Sequence, residues 1–154
     1  MKNILIALDY DPTAQKVAEI GFSIGENKNA AITLLHVITD PSYYGSTVYD
    51  PVMGFGGYTN LDLLAPDIFN QLKKTSLEFL DKSRQHLGGG NIKTLVKEGS
   101  IAETILQVAK KLNADTIVMG SHSKRWLENI LMGSITEYVL HHTSVPLLII
   151  PTKK

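Results

Sequence analysis

Short apolar runs alternate along this chain with longer segments in which apolar residues recur every three or four positions. The runs are continuous and do not alternate with polar residues, which is typical of strands buried on both faces of a sheet. The pattern predicts five such strands, at residues 4–8, 31–38, 91–97, 115–119 and 145–150. The segments between these runs carry the helical period and predict amphipathic helices.

Start and stop signals delimit the predicted helices. Asp11 and Pro12 resemble an N-cap followed by proline at the first helical position. Pro66 opens a second helix, and the glycines at 88–90 end it. Two further helix starts carry serine and glutamate at the spacing of a capping box. These pairs are Ser100 with Glu103 and Ser134 with Glu137.

The alternation of strands and helices predicts an α/β fold, a three-layer sandwich in which helices cover both faces of a five-stranded parallel sheet. Right-handed crossovers leave few topologies, and we expect the strand order 3-2-1-4-5. In that order the winding reverses between strands 1 and 4, and ligands bind beyond the carboxyl ends of the strands at such a switch point. Asp9 ends the first strand and Gly120 follows the fourth, so both residues are expected there.

Residues 39–64 interrupt this alternation with prolines, glycines and four of the six tyrosines. Connections of this length in a compact domain are usually functional or disordered. We expect a single domain over residues 1–154 with a long loop insertion at about 39–64. The aromatic residues of this loop favour a cover over a ligand or a dimer contact, and glycine-rich mobility is the alternative.

Composition narrows the classes of function. Fifteen basic and fifteen acidic residues cancel, so the chain has no long-range field toward nucleic acid or anionic lipid. The absence of cysteine excludes disulfides, thiol catalysis and cysteine-bound metal. No apolar run approaches the ~20 residues of a membrane span, and no secretory signal is visible. We therefore expect a cytoplasmic protein that binds neither nucleic acid nor membrane.

Small and basic residues follow the fourth strand at 120–125, and a Gly-Ser pair stands at the apparent start of the last helix. Free backbone N–H groups in loops and at helix N-termini attract anions, so this arrangement predicts a phosphate cradle. Lys124 and Arg125 are candidates to neutralise phosphate charge, although adjacent loop cations are often only solvated. Gly133 and Ser134 are also explained by the helix start alone, and the two roles are compatible.

Together these features resemble the universal stress protein family. The phosphate motif of that family reads Gly-x2-Gly-x9-Gly-Ser/Thr, and Gly120-x2-Ser123-x9-Gly133-Ser134 keeps its spacing. The likeness also covers the end of the first strand, the end of the second and the close of the chain, at Asp9, 35–37 and 144–151. It leaves out residues 39–64.

The resemblance implies an adenine nucleotide α-hydrolase-like, Rossmann-like fold and a homodimer formed through the C-terminal strand at 145–150. It also implies binding of ATP or another adenine nucleotide, with Mg²⁺ as a candidate metal, by a stress-response sensor or switch without strong catalysis. Carried over by position, Asp9 would lie near the ribose or the metal, and Val37 would offer backbone to the adenine. The rest of the binding set would be Met119, Gly120, His122, Ser123, Lys124, Gly133, Ser134 and Ile135.

One departure from the family pattern concerns Ser123, which stands where ATP-binding members have glycine. If that position needs a positive φ, a non-glycine residue costs roughly 1–2 kcal/mol. That corresponds to about a tenfold loss of affinity, since ~1.4 kcal/mol is a factor of ten.

Other functions remain open at this point. A weak ATPase would need a base or water-orienting group and usually a metal, for which His122 could reach the water and Asp9 could hold Mg²⁺. However, no Gly-Lys-Ser/Thr pattern and no nucleophile elbow are present. A dimeric stress or interaction protein that binds no nucleotide is the main rival. Asp9 could equally satisfy the backbone of a turn. A receiver-type switch is disfavoured, because the third strand ends without an aspartate.

Overall fold

Strands and helices alternate throughout the part of the chain that the computed structural model describes, which is residues 1–10, 12–39, 66–121 and 133–152. The predicted loop insertion therefore lies, beyond Thr39, outside the described residues. In chain order the elements are β1 (Asn3–Ala7), α1 (Ala14–Glu26), β2 (Ala31–Ile38), α2 (Pro66–His86), β3 (Ile92–Glu98), α3 (Ile101–Lys111), β4 (Thr116–Gly120), α4 (Ser134–His142) and β5 (Leu147–Ile150).

The five strands form one parallel sheet in the order β3-β2-β1-β4-β5, which confirms the predicted fold class and strand order. Two apolar clusters fill the space between the sheet and the helices on its two faces. One cluster joins Ile6 and Val118 to α1 and α2, and the other joins Leu5 and Ile117 to α3 and α4. The apolar runs are continuous because the inner strands contribute side chains to both clusters.

Helix α1 lies against the sheet through glycines. A Cβ added at Gly21 would stand 2.7 Å from Ile6 Cδ1 and 3.2 Å from Val118 Cγ1. A Cβ at Gly25 would stand 2.8 Å from Ile32 Cδ1. Because such approaches are closer than carbon atoms tolerate, these positions hold glycine to let the helix pack tightly on the strands.

The predicted start of α1 is wrong by two residues. The helix begins at Ala14, and Thr13 is the N-cap, since its carbonyl accepts the first helical bond from the Val17 N–H at 3.2 Å. Pro12 therefore lies in the turn before the helix instead of at its first position. Asp11, the predicted N-cap, lies outside the described residues.

The two predicted capping boxes have different outcomes. Ser100 is the N-cap of α3 as predicted, but its side chain makes no capping hydrogen bond. The box predicted from Ser134 and Glu137 is wrong, because Gly133 is the N-cap of α4 and its carbonyl accepts the Glu137 N–H at 2.9 Å. Ser134 is consequently the first helical residue, and no side chain among the described residues caps the first turn of α4.

The other element ends lie close to their predicted places. The glycines after α2 take the left-handed backbone that ends a helix, with φ of +98°, +72° and +60° at Gly88, Gly89 and Gly90. Strand β5 starts at Leu147 and not at 145, because the Thr143 hydroxyl holds the Val145 backbone in a turn, with bonds of 2.8 and 3.0 Å. None of the helices in the described ranges is long and apolar enough to cross a membrane.

Candidate functional site

Strand β1 ends before both of its neighbours at the carboxyl edge of the sheet. Its pairing with β2 ends at Ala7–Leu35, and its pairing with β4 ends at Ile6–Val118. Strand β2 continues along β3 to Ile38, and β4 continues along β5 to Gly120. The two neighbours therefore extend past β1 on either side.

Val37 is the residue of β2 that faces the space beyond β1. The carbonyl of Leu35 accepts the Leu8 N–H at 2.8 Å on the β1 side, and that of Ile38 accepts the Gly99 N–H at 2.9 Å on the β3 side. Because backbone direction alternates along a strand, the N–H and C=O of Val37 point to the β1 side. The ladder has already ended there, so they lack a ladder partner among the described residues.

Gly120 is the corresponding residue of β4. The next N–H, that of Ser121, donates to the Ile150 carbonyl at 2.9 Å on the β5 side, so the groups of Gly120 face β1. Its N–H has no ladder partner on that side among the described residues, because the β1–β4 pairing stops at Val118. Its carbonyl accepts the Thr136 hydroxyl at 3.0 Å.

We call the space beyond Leu8, between Val37 and Gly120, the β1 gap. Two strand spacings separate its walls, which is about 10 Å and enough for a flat heterocycle. Asp9 and Tyr10 directly follow Leu8, where the gap begins. Asp9 is exposed and Tyr10 is partly buried. The gap lies at the switch point that the topology predicted.

The N-terminus of α4 is fastened to the end of β4. The Gly133 N–H donates to the Ser121 carbonyl at 3.1 Å, and Thr136, which is 2% exposed, holds the Gly120 carbonyl. Without a side-chain cap, the N–H groups of the first helical turn lack partners within the described ranges. The positive end of the helix dipole is thus fixed next to the wall of the β1 gap.

Most residues predicted to bind a nucleotide lie at this edge. Asp9, Val37 and Gly120 border the β1 gap, and Gly133, Ser134 and Ile135 form the start of α4. Met119 is 5% exposed and packs in the core with Val37 and Val139, so its side chain lies below the edge. His122, Ser123 and Lys124 lie outside the described residues.

The predicted metal position at Asp9 stays a prediction. Within the described ranges, no group of three or more histidine, aspartate or glutamate side chains is placed to hold a metal ion. Mg²⁺ often uses one or two carboxylates and completes its coordination with water and substrate phosphates. Asp9 is therefore compatible with Mg²⁺ that a bound nucleotide would bring.

Sequence reasoning missed a cluster behind the gap. The ring of His36 contacts Tyr10 edge-on, with centroids 4.5 Å apart, and Tyr10 lies 4.9 Å from Phe79 of α2. The Tyr10 hydroxyl and Ser76 Oγ are 2.8 Å apart, and Ser76 donates to the Leu72 carbonyl at 2.8 Å. The sequence feature that could have indicated this cluster is Tyr10, which directly follows Asp9 at the end of the first predicted strand.

The strand order defines a parallel α/β fold, and the β1 gap lies at the carboxyl edge, where folds of this class bind their ligands. A model of the universal stress protein family matches residues 1–151. The chain therefore belongs to the universal stress protein family, which confirms the resemblance drawn from the motif spacing. Universal stress protein MJ0577 of Methanocaldococcus jannaschii is 28% identical over 159 aligned residues, covering 99% of this chain and 96% of that protein.

Solved structures of relatives have the same fold. The structure of the MJ0577 protein aligns with a TM-score of 0.76 at 25% identity and covers 99% of this chain and 97% of that one. A universal stress protein solved in complex with cAMP aligns at 0.64 with 14% identity, over 99% of this chain and 98% of that one. The Archaeoglobus fulgidus universal stress protein in complex with dAMP aligns at 0.61 with 14% identity, over 97% of each chain.

Proposed function

We propose that this protein binds an adenine nucleotide in the β1 gap and acts as a stress-response sensor or switch without strong catalysis. The observation that carries the proposal is the early end of β1. It leaves the backbone groups of Val37 and Gly120 facing one space, beside the start of α4, which no described side chain caps. Complexes of related proteins with cAMP and with dAMP support the choice of adenine.

The two ends of the site suit the two ends of such a ligand. Adenine carries a ring nitrogen acceptor next to an amino donor, and the N–H and C=O of Val37 complement that pair. Phosphate suits the first-turn N–H groups of α4, where the helix dipole favours negative charge. Gly133 and Ser134 would hold the phosphates, and Asp9 would hold Mg²⁺, which would neutralise phosphate charge.

Titration calorimetry with a set of ligands tests this proposal. We expect ATP to bind and GTP to bind more weakly, because guanine presents a carbonyl and a ring N–H where adenine presents an amino group and a ring nitrogen. Inorganic tripolyphosphate should bind weakly at the start of α4. Absence of any heat with ATP at millimolar ligand, from a folded protein, would refute the proposal and favour an interaction protein that binds no nucleotide.

Ser123 gives a second test that rests on the motif alone. Ser123→Gly restores the family's Gly-x2-Gly spacing, and we expect ATP to bind about tenfold more tightly if the position needs a positive φ. Ser123→Ala is the matched control, because it removes the hydroxyl without freeing the backbone. Equal affinities in all three proteins would remove Ser123 from the nucleotide site.

We also propose that the protein is a homodimer joined through β5. The strand lies at the edge of the sheet, and Leu147, Leu148 and Ile149 are only partly buried. An apolar edge with free backbone groups needs a partner to avoid uncontrolled pairing.

One substitution separates edge pairing from folding. The Ile150 carbonyl faces β4, so the N–H of Ile149 faces outward by the alternation of the strand. Ile149→Pro removes that donor and leaves the β4 ladder intact, whereas Leu148→Pro breaks the ladder itself. Light scattering should report a dimer for the wild type and a monomer for Ile149→Pro. A wild-type monomer, or an Ile149→Pro dimer, would contradict the proposal.

Weak ATP hydrolysis is a second candidate function, favoured only by the position of Asp9 at the gap. Phosphate release by the wild type and by Asp9→Ala distinguishes it from binding. Release that is no higher than contaminant level and that Asp9→Ala leaves unchanged would exclude an Asp9-dependent ATPase.

A further inference from the structure

We propose that His36 is a positioning residue that keeps the Val37 backbone open for the base of the ligand. The proposal rests on the nucleotide site proposed above and names the side chain that creates one half of it. The imidazole Nδ1 lies 2.8 Å from the carbonyl oxygen of Leu8, a residue 28 positions earlier in the chain.

In an uninterrupted parallel ladder the carbonyl of Leu8 would have a different hydrogen-bond partner. Leu8 donates its N–H to Leu35, so regular pairing would continue with the Val37 N–H donating to the Leu8 carbonyl. The ladder instead ends at Ala7–Leu35. The side chain of His36 has replaced the backbone of its own neighbour as the donor to Leu8, and this exchange leaves the Val37 N–H available.

The environment of His36 fixes the ring for this role. The residue is 7% exposed, and its ring meets Tyr10 at 4.5 Å and Phe79 at 6.0 Å between centroids, both edge-on. Because a carbonyl oxygen only accepts hydrogen bonds, Nδ1 must carry a proton. Packing against the rings of Tyr10 and Phe79 keeps the Nδ1–H of His36 directed at the Leu8 carbonyl. The chain after β1 therefore turns away from β2 at Asp9 and Tyr10.

Two substitutions separate the hydrogen bond from the packing. His36→Phe keeps an aromatic ring between Tyr10 and Phe79 but has no donor, so the ladder is expected to extend by one bond and occupy the Val37 N–H. His36→Asn places an amide donor close to the position of Nδ1 and should preserve the wild-type arrangement. If His36→Phe does not fold, His36→Leu removes the donor with a smaller side chain.

Amide hydrogen exchange measured by NMR without nucleotide gives the direct readout. The Val37 amide should exchange at least tenfold more slowly in His36→Phe than in the wild type and in His36→Asn. The Leu8 amide, which is bonded to Leu35 in all of them, is the internal reference. A general loss of stability would speed both amides, so slower exchange at Val37 alone cannot come from a purely structural role. Unchanged exchange at Val37 would overturn the proposal.

Ligand binding gives the second readout. ATP affinity should fall on the order of tenfold in His36→Phe, as expected for a lost hydrogen bond and a narrowed gap, and return in His36→Asn. Affinity for tripolyphosphate should not change, because that ligand uses α4. If the wild type binds ATP and His36→Phe binds it equally well, the role of His36 is refuted while the nucleotide site stands. If the wild type binds no ATP, the proposed function fails and the exchange experiment still decides the structural role of His36.

Discussion

Gly133 offers a substitution that should preserve helix α4 and remove the phosphate end of the site. It is the N-cap, with φ −71° and ψ 158°, a backbone that any residue can adopt. Aspartate is among the favoured N-cap residues, so Gly133→Asp should stabilise the helix slightly. Its carboxylate would bond to the first-turn N–H groups of Ile135 and Thr136, which are the groups offered to phosphate.

The expected loss of affinity is large. Each charge-assisted hydrogen bond contributes about 1.5–3 kcal/mol, so losing two weakens phosphate binding by about 3 kcal/mol or more. Repulsion between the carboxylate and phosphate adds up to about 4 kcal/mol at a separation near 4 Å and an effective dielectric constant of 20. Together these effects should raise the Kd for ATP at least about a hundredfold.

Calorimetry on three variants isolates the cause. Gly133→Asn caps the helix without charge and should show a smaller loss than Gly133→Asp. Gly133→Ala adds a Cβ but no acceptor, so its Kd should stay close to that of the wild type. Equal ATP binding by Gly133→Asp and the wild type would refute the placement of phosphate at α4. An equal loss in Gly133→Ala would show that volume at this position, and not capping, controls binding.

Three further predictions concern the supports of the site and the fold. Thr136→Val should lower the free energy of unfolding in urea by about 1–3 kcal/mol by leaving the Gly120 carbonyl without its partner, and Thr136→Ser should recover most of it. Asp115 accepts the two N–H groups at the start of β1, which hold the pKa of its carboxyl below the ordinary value. Its stabilisation is therefore present at neutral pH and lost as pH falls through the lowered pKa, so Asp115→Asn should differ from the wild type at pH 7 and converge with it in acid. Gly21→Val should cost about 1–3 kcal/mol by overpacking against β1 and β4, whereas Ser23→Val at an exposed position of the same helix should cost less; equal costs would refute the packing argument.

The fold was predictable because it depends on periodicity. Continuous apolar runs and helical segments predicted the elements, and right-handed crossovers narrowed the strand order. That order placed Asp9 and Gly120 at one edge of the sheet. Helix starts were less predictable. The Ser134–Glu137 spacing favours a capping box, yet Gly133 takes the N-cap because the end of β4 holds its N–H and the Thr136 hydroxyl.

The β1 gap itself could not be predicted from local patterns. It depends on a bond from His36 to Leu8 that joins residues far apart in sequence, and no propensity or spacing rule reports such a contact. The resemblance to the family indicated Val37 as a binding residue. The Val37 N–H is available because the side chain of His36, and not Val37, donates to the Leu8 carbonyl.

Amide chemical shifts of the labelled protein during titration with Mg-ATP report on both ends of the proposed nucleotide site at once. We expect saturable shifts of the Val37 and Gly120 amides together with those of Ser134 and Ile135, at one common Kd. Saturable binding that moves none of these four amides, with shifts confined to other parts of the chain, would contradict the proposed site.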